Sequence, residues 1–284
     1  MKLRGVIFMT IFSFILSGCG SVPITGRKQM LLVSDQEVLT LSLQEYSEFI
    51  KTAPKSTDKT NTAIVVKVGR NIANAVETYL KENGYADEIS NYSWEFNLVQ
   101  STDVNAFCMP GGKIVVYEGI LPYTQTEAGL AVVLGHEVAH AVAKHANERM
   151  SQQVASQYGS AALGVALSGS SSAVQTIAST VYGLGAEYGV MLPYSRKQEL
   201  EADKLGLIFM AMAGYDPSVA SSFWQRMSQN STAVPEFMST HPSDQTRITA
   251  IQKDLNEALK YYKGTSSTKN NSSAGSKTSD QWKF

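Results

Sequence analysis

Leu39, Leu43, Tyr46 and Ile50 recur at helical spacing behind Ser34-Asp35-Gln36-Glu37. Ser34 is placed to cap and Glu37 falls three residues on, as a capping box requires, so a helix is predicted here. A second helix is predicted from Thr60 to about Glu82, with Ile64, Val68, Ile72 and Val76 along one stripe and Asn83-Gly84 as its stop. Trp94, Phe96 and Leu98 alternate with Glu95 and Asn97, the period of a half-buried strand, and Lys113 to Tyr117 is a β-branched run. Pro110-Gly111-Gly112 between them marks a turn. The two runs are expected to pair in a small sheet, with Lys113 to Tyr117 at its edge. Leu130, Val133, Leu134, Val138 and Val142 then place a helix over Glu127 to Met150. Another helix opens at Ser195, and a last one spans Asp244 to Tyr261. This order predicts an α+β, mostly helical domain over 31–263.

The chain's ends read differently. Lys2 and Arg4 precede an apolar stretch from Val6 to Leu16, too short for a comfortable membrane span, followed by Leu16-Ser17-Gly18-Cys19. Residues 1–18 read as a secretory signal. The Leu-Ser-Gly-Cys ending resembles the bacterial lipobox, which implies lipidation of Cys19 and an anchored protein of a bacterial envelope, facing the periplasm from the outer membrane. Residues 19–30 read as a tether and 264–284, rich in Ser, Thr, Asn and Lys, as a disordered tail. Met150 to Ala186 carries no charged residue, but Ser168 to Ser172 interrupts it before the ~20 residues a span needs, so packed helices or a loop are expected.

With 284 residues, 43% of them apolar, the chain can bury one sizeable core. Lys and Arg number 24 against 25 Asp and Glu, so no overall field draws it to nucleic acid. With Cys19 acylated, Cys108 would have no disulfide partner and reads as a small buried apolar side chain.

The chemistry concentrates in His136-Glu137-Val138-Ala139-His140. Four residues of helix advance about 400° and ~6 Å, so the two histidines face one way, a turn apart. Their nitrogens can take adjacent corners of a tetrahedron around zinc, while Glu137 can reach a water without being a ligand. A catalytic zinc needs a third protein ligand. Positions 143 and 146 are alanine, so no third histidine follows at the usual spacing. His145, five residues after His140, points partly away and suits a capping or supporting role. In the helix opening at Ser195, Glu199 and Asp203 share one face and Glu201 lies about 200° from Glu199. Either face can look at the metal.

Four blocks in chain order resemble the BepA-like and HtpX-like metallopeptidases, to which the CAAX prenyl proteases are related. They are Val22-Pro23-Ile24-Thr25-Gly26-Arg27, Asn105-Ala106-Phe107 with Pro110-Gly111-Gly112, the HEVAH helix, and Ser195-Arg196 followed by Glu199, Glu201, Ala202 and Asp203. The chain departs from that family's known branches in having no tetratricopeptide-type repeats and no flanking transmembrane helices. The resemblance implies a zincin-type gluzincin domain with an edge strand bordering the active-site cleft, and one Zn2+ per chain. It assigns His136, His140 and Glu199 to the metal, Glu137 and Asp203 to catalysis, and His241 to a place over the zinc. There His241 would stabilise the oxyanion or act as a removable extra ligand, with Arg247 and Tyr194 as further candidates. The implied activity is endoproteolysis of unfolded or misassembled envelope proteins, held as extended chains. The alternative is a chaperone or assembly factor using the same cleft with little proteolysis.

Overall fold

A computed structural model describes residues 19–23, 25–166, 195–229, 236–241 and 245–264, with side chains from 156 to 166 left aside. The signal region, Tyr194, the second half of the uncharged stretch and the tail beyond 264 lie outside the described residues. The first described element is a hairpin inside the stretch read as a tether: β1 (Cys19–Ser21) pairs antiparallel with β2 (Lys28–Met30).

Helix α1 (Asp35–Thr52) starts at Ser34, whose side chain accepts from the Glu37 amide. Its buried face is Val38, Leu41, Tyr46 and Phe49, about one residue out of phase with the predicted stripe, and Leu43 is exposed. Helix α2 (Lys59–Glu82) is capped by Asp58 and buries Val65, Val68, Ile72 and Val76. It ends as predicted at Asn83-Gly84, where Gly84 takes φ +84°.

Three strands follow: β3 (Glu95–Val99), β4 (Ala106–Met109) and β5 (Lys113–Tyr117). Their spatial order is β3-β5-β4, with β5 parallel to β3 and antiparallel to β4. Lys113 to Tyr117 is therefore the central strand, which corrects the edge-strand reading. A strand covered on both faces carries continuous apolar character, and position in the sheet cannot be read from it. Ala106, Cys108, Ile114 and Val116 face one core, with α2 beneath them. Phe107, Met109, Val115 and Tyr117 face a second core covered by α1, where Phe49 meets Phe107 edge to face at 5.5 Å.

Helix α3 (Glu127–Val142) is capped by Thr126 and buried along every residue from Gly129 onward. The helix expected to run to Met150 breaks at Ala143-Lys144, where Lys144 takes φ 55°, and α4 (His145–Ala166) restarts it. The left-handed lysine is held by ion pairs to Asp35 at 2.7 Å and Glu88 at 2.8 Å. No helix of the described residues is long and apolar enough to cross a membrane.

Helix α5 (Arg196–Met212) opens with a full capping box between Ser195 and Gln198. It crosses α3 at Gly135 and Gly206, where a Cβ on either glycine would come within 2.8 Å of the other helix's backbone. Helices α6 (Val219–Gln229), α7 (Glu236–Thr240) and α8 (Gln245–Ala258) close the far side.

Candidate metal centre

Because α3 is buried all round, its polar residues must find partners inside the protein. His136 and His140 point together toward α5 and the residue after α7. His136 Nε2 lies 3.0 Å from His140 Nε2 and 3.2 Å from His241 Nδ1. Glu199 Oε1 is 3.1 Å from His241 Nδ1 and 3.4 Å from His140 Nε2, and Glu199 Oε2 is 3.5 Å from His136 Nε2. One donor atom from each of these four residues fits within 4.8 Å of the others, and all four residues are buried. A tetrahedron with zinc bonds of about 2.0–2.1 Å has edges of about 3.3 Å. The donor spacings straddle that value, so the group is able to hold such an ion.

Charge agrees with spacing. Glu137, Glu199 and Asp203 are buried carboxylates near one buried guanidinium, that of Arg247. A proton on His136 offsets part of this excess in the metal-free protein, and a divalent cation would take its place. Glu137 stands beside the donors with Oε1 buried and, among the described residues, without a hydrogen-bond partner, 3.5 Å from His241 Nε2. Burial pushes its carboxyl above the usual range, against the pull of His241 and His136.

The outer nitrogens of the histidines are braced separately. His136 Nδ1 faces Asp203 Oδ1 at 2.9 Å. Arg247 holds that carboxylate through Nε at 2.5 Å and Nη2 at 2.9 Å, and its Nη1 reaches Glu199 Oε2 at 2.8 Å. The guanidinium lies 3.7 Å from the centroid of the Trp224 ring, which fixes its plane. Burial and Arg247 lower the affinity of His136 for a proton, but Asp203 and Glu199 outweigh them and bring its pKa to about 9. A cation at Nε2 competes with that proton. Burial raises the Glu199 and Asp203 carboxyls, yet Glu199, chiefly through His241 and Arg247, and Asp203, chiefly through Arg247, end below the usual range. His140 Nδ1 faces His145 Nδ1 at 2.8 Å, and burial holds the His140 pKa well below its ordinary value.

Of the residues singled out from sequence, the structure brings together His136, Glu137, His140, Glu199, Asp203 and His241. Glu201 turns the other way, its Oε2 3.0 Å from His145 Nε2, so of the two glutamates it is Glu199 that stands with the histidine donors. Cys19 begins β1 and has no part in the group. Arg247, a weak candidate from sequence, touches both acidic residues. Trp224 and Phe237, which wall His136 at 5.6 and 6.5 Å, gave no signal, because isolated aromatics read as core.

The profile of peptidase family M48 matches residues 68–255. This chain belongs to peptidase family M48. Zinc is the metal of M48 metallopeptidases, and the donor group above is able to hold it. The chain is 39% identical over 180 residues, 60% of its own length and 49% of the relative's, to the mitochondrial metalloendopeptidase OMA1 of Schizosaccharomyces pombe. To the human mitochondrial metalloendopeptidase OMA1 it is 31% identical over 249 residues, 84% of this chain and 46% of that one. The β-barrel assembly-enhancing protease of Yersinia pestis is 30% identical over 175 residues, 58% of this chain and 35% of that protein. The chain thus spans about half or less of the length of these relatives. Within M48 the BepA-like resemblance is the more distant one, and the OMA1 relatives stand nearer. That finding also overturns the bacterial outer-membrane location drawn from the Leu16 to Cys19 ending, since the nearer relatives are mitochondrial by name.

Proposed function

We propose that this M48 chain is a zinc-dependent endopeptidase acting on extended, non-native polypeptides. The observation that carries the reading is the four-donor group of His136, His140, Glu199 and His241 with Glu137 beside it. In this reading His136, His140 and Glu199 hold the metal. Bound zinc supplies Lewis-acid polarisation of the scissile carbonyl and makes water acidic enough to attack near neutral pH. Glu137 takes the attacking water's proton and delivers it to the departing amine. Asp203 fixes the orientation of the His136 ring, with Arg247 holding Asp203 in turn.

His241 would serve as a removable further ligand that keeps the enzyme latent, and once displaced its ring would donate to the oxyanion. An extended substrate pairs with β4, which among the described residues is bonded on one side only and adjoins α3.

The test compares wild type with Glu137→Gln on an unfolded protein substrate, with and without chelator. Loss of the general base is expected to lower turnover by about 10²- to 10⁴-fold, and chelation to abolish it. Equal cleavage by both proteins would sink the mechanism. His241→Ala is expected to cleave faster than wild type at equal zinc occupancy; slower cleavage would remove the latch and leave the oxyanion role.

A further inference from the structure

The hairpin turn between β1 and β2 lies outside the stretch matched to the family, yet it reaches the metal centre through a chain of hydrogen bonds. Arg27 donates from Nη1 and Nη2 to the two oxygens of Glu148 at 2.7 and 2.8 Å, a planar fork. Its Nε donates to Glu201 Oε2 at 2.7 Å, and the Thr25 hydroxyl donates to Glu201 Oε1. Glu201 Oε2 also faces His145 Nε2 at 3.0 Å, and His145 Nδ1 faces His140 Nδ1 at 2.8 Å. Gln198, the capping-box residue of α5, donates to Glu148 Oε2 at 2.8 Å, so the same cluster grips the helix that bears Glu199.

We infer that Thr25 and Arg27 are positioning residues for His140, acting through Glu201 and His145 to fix which nitrogen of the His140 ring carries its proton. This rests on the reading of His140 as a metal ligand. The deduction follows donor and acceptor counts. Arg27 Nε and the Thr25 hydroxyl occupy Glu201 as donors, which orients it as an acceptor toward His145. His145 must then carry its proton on Nε2, leaving Nδ1 to accept. His140 Nδ1 stands 2.8 Å from that nitrogen, and for the two to bond it must donate. The His140 proton is thereby committed to Nδ1, and the lone pair of Nε2 is turned toward the donor group. On the other histidine a single carboxylate does this work. Here the carboxylate stands one imidazole further out and is aimed by residues more than a hundred positions away in sequence.

The experiment uses the full chain. Zinc affinity is measured by competition with a chromophoric chelator for wild type, Arg27→Met, Arg27→Lys, Thr25→Val and Glu201→Gln, beside thermal melts of the metal-free proteins. Histidine-selective 15N NMR reads the protonated nitrogen of His140 and His145. Arg27→Met and Glu201→Gln are expected to lose about 10- to 100-fold in affinity, the range for outer partners of metal ligands. Thr25→Val, near-constant in volume, is expected to lose less, and Arg27→Lys to recover part of the loss. Glu201→Gln is expected to change the His145 tautomer signal, which a merely structural role would not do. Affinities within twofold of wild type, or a wild-type His140 protonated on Nε2, would overturn the inference. Wild type failing to bind zinc at all would overturn the metal reading itself, a separate result. Should Arg27→Met not fold, Thr25→Val and the wild-type NMR still decide.

Discussion

His136 and His140 stand one turn apart on α3, and their outer nitrogens are braced by different parts of the chain. Behind His136 is a carboxylate on α5, clamped by an arginine from α8 that is 2% exposed and stacked on Trp224. Behind His140 is a second histidine, then Glu201, then a hairpin residue whose side chain is 25% exposed. A buried pair loses much when one partner is removed, whereas a partly wetted pair is relieved by water. The His136 side is therefore the fixed brace of the centre and the His140 side the adjustable one.

The largest expected effect tests the fixed brace. Arg247→Met leaves Asp203 and Glu199 buried without their guanidinium and is expected to destabilise the metal-free protein by about 3–5 kcal/mol, read by urea denaturation. A cost no greater than that of Arg27→Met would erase the distinction between the two sides. Next is Asp203→Asn, which keeps the shape but can present an amide hydrogen to His136 Nδ1. Zinc affinity is expected to fall by about 10- to 100-fold in a chelator competition, with the fold retained.

The smallest effect concerns pH on the adjustable side. Burial raises the Glu148 carboxyl, but hydrogen bonds from Arg27 and Gln198 outweigh it and set it below 4.5. A lowered carboxyl contributes stability above its unfolded pKa and loses it as pH falls through the folded one. The stability gap between wild type and Glu148→Gln is thus expected to be widest near neutral pH and to close below about pH 4, where carboxylates protonate. A gap that stays constant with pH would show that the Arg27 fork contributes nothing through charge.

Much of this centre was legible in the sequence. His136, Glu137 and His140 declare themselves by spacing, and the resemblance chose Glu199 over Glu201 where helical phase could not. Arg247 carries little signal because an arginine three residues after Asp244, where the last helix is predicted to begin, has no spacing relation to the Glu199 and Asp203 carboxylates it holds. In the fold, β4 was missed since Ala106, Phe107, Cys108 and Met109 are all buried and show no alternation. The break at Lys144 has neither glycine nor proline to announce it; ion pairs from Asp35 and Glu88, distant in sequence, stabilise that backbone. The phase of α1 slipped because Leu43, a large apolar residue, faces outward while Ser42 is buried against the Pro110 carbonyl.

The crossing of Gly135 and Gly206 carries a consequence for how the site works. Those glycines adjoin His136 on one helix and follow Asp203 by three residues on the other, with backbone nearly touching backbone. The gauge between the two helices that carry the donor group is therefore set by main chain rather than by side-chain filling. Volume changes elsewhere in the core leave that gauge alone, while a single methyl at the crossing would force it wider.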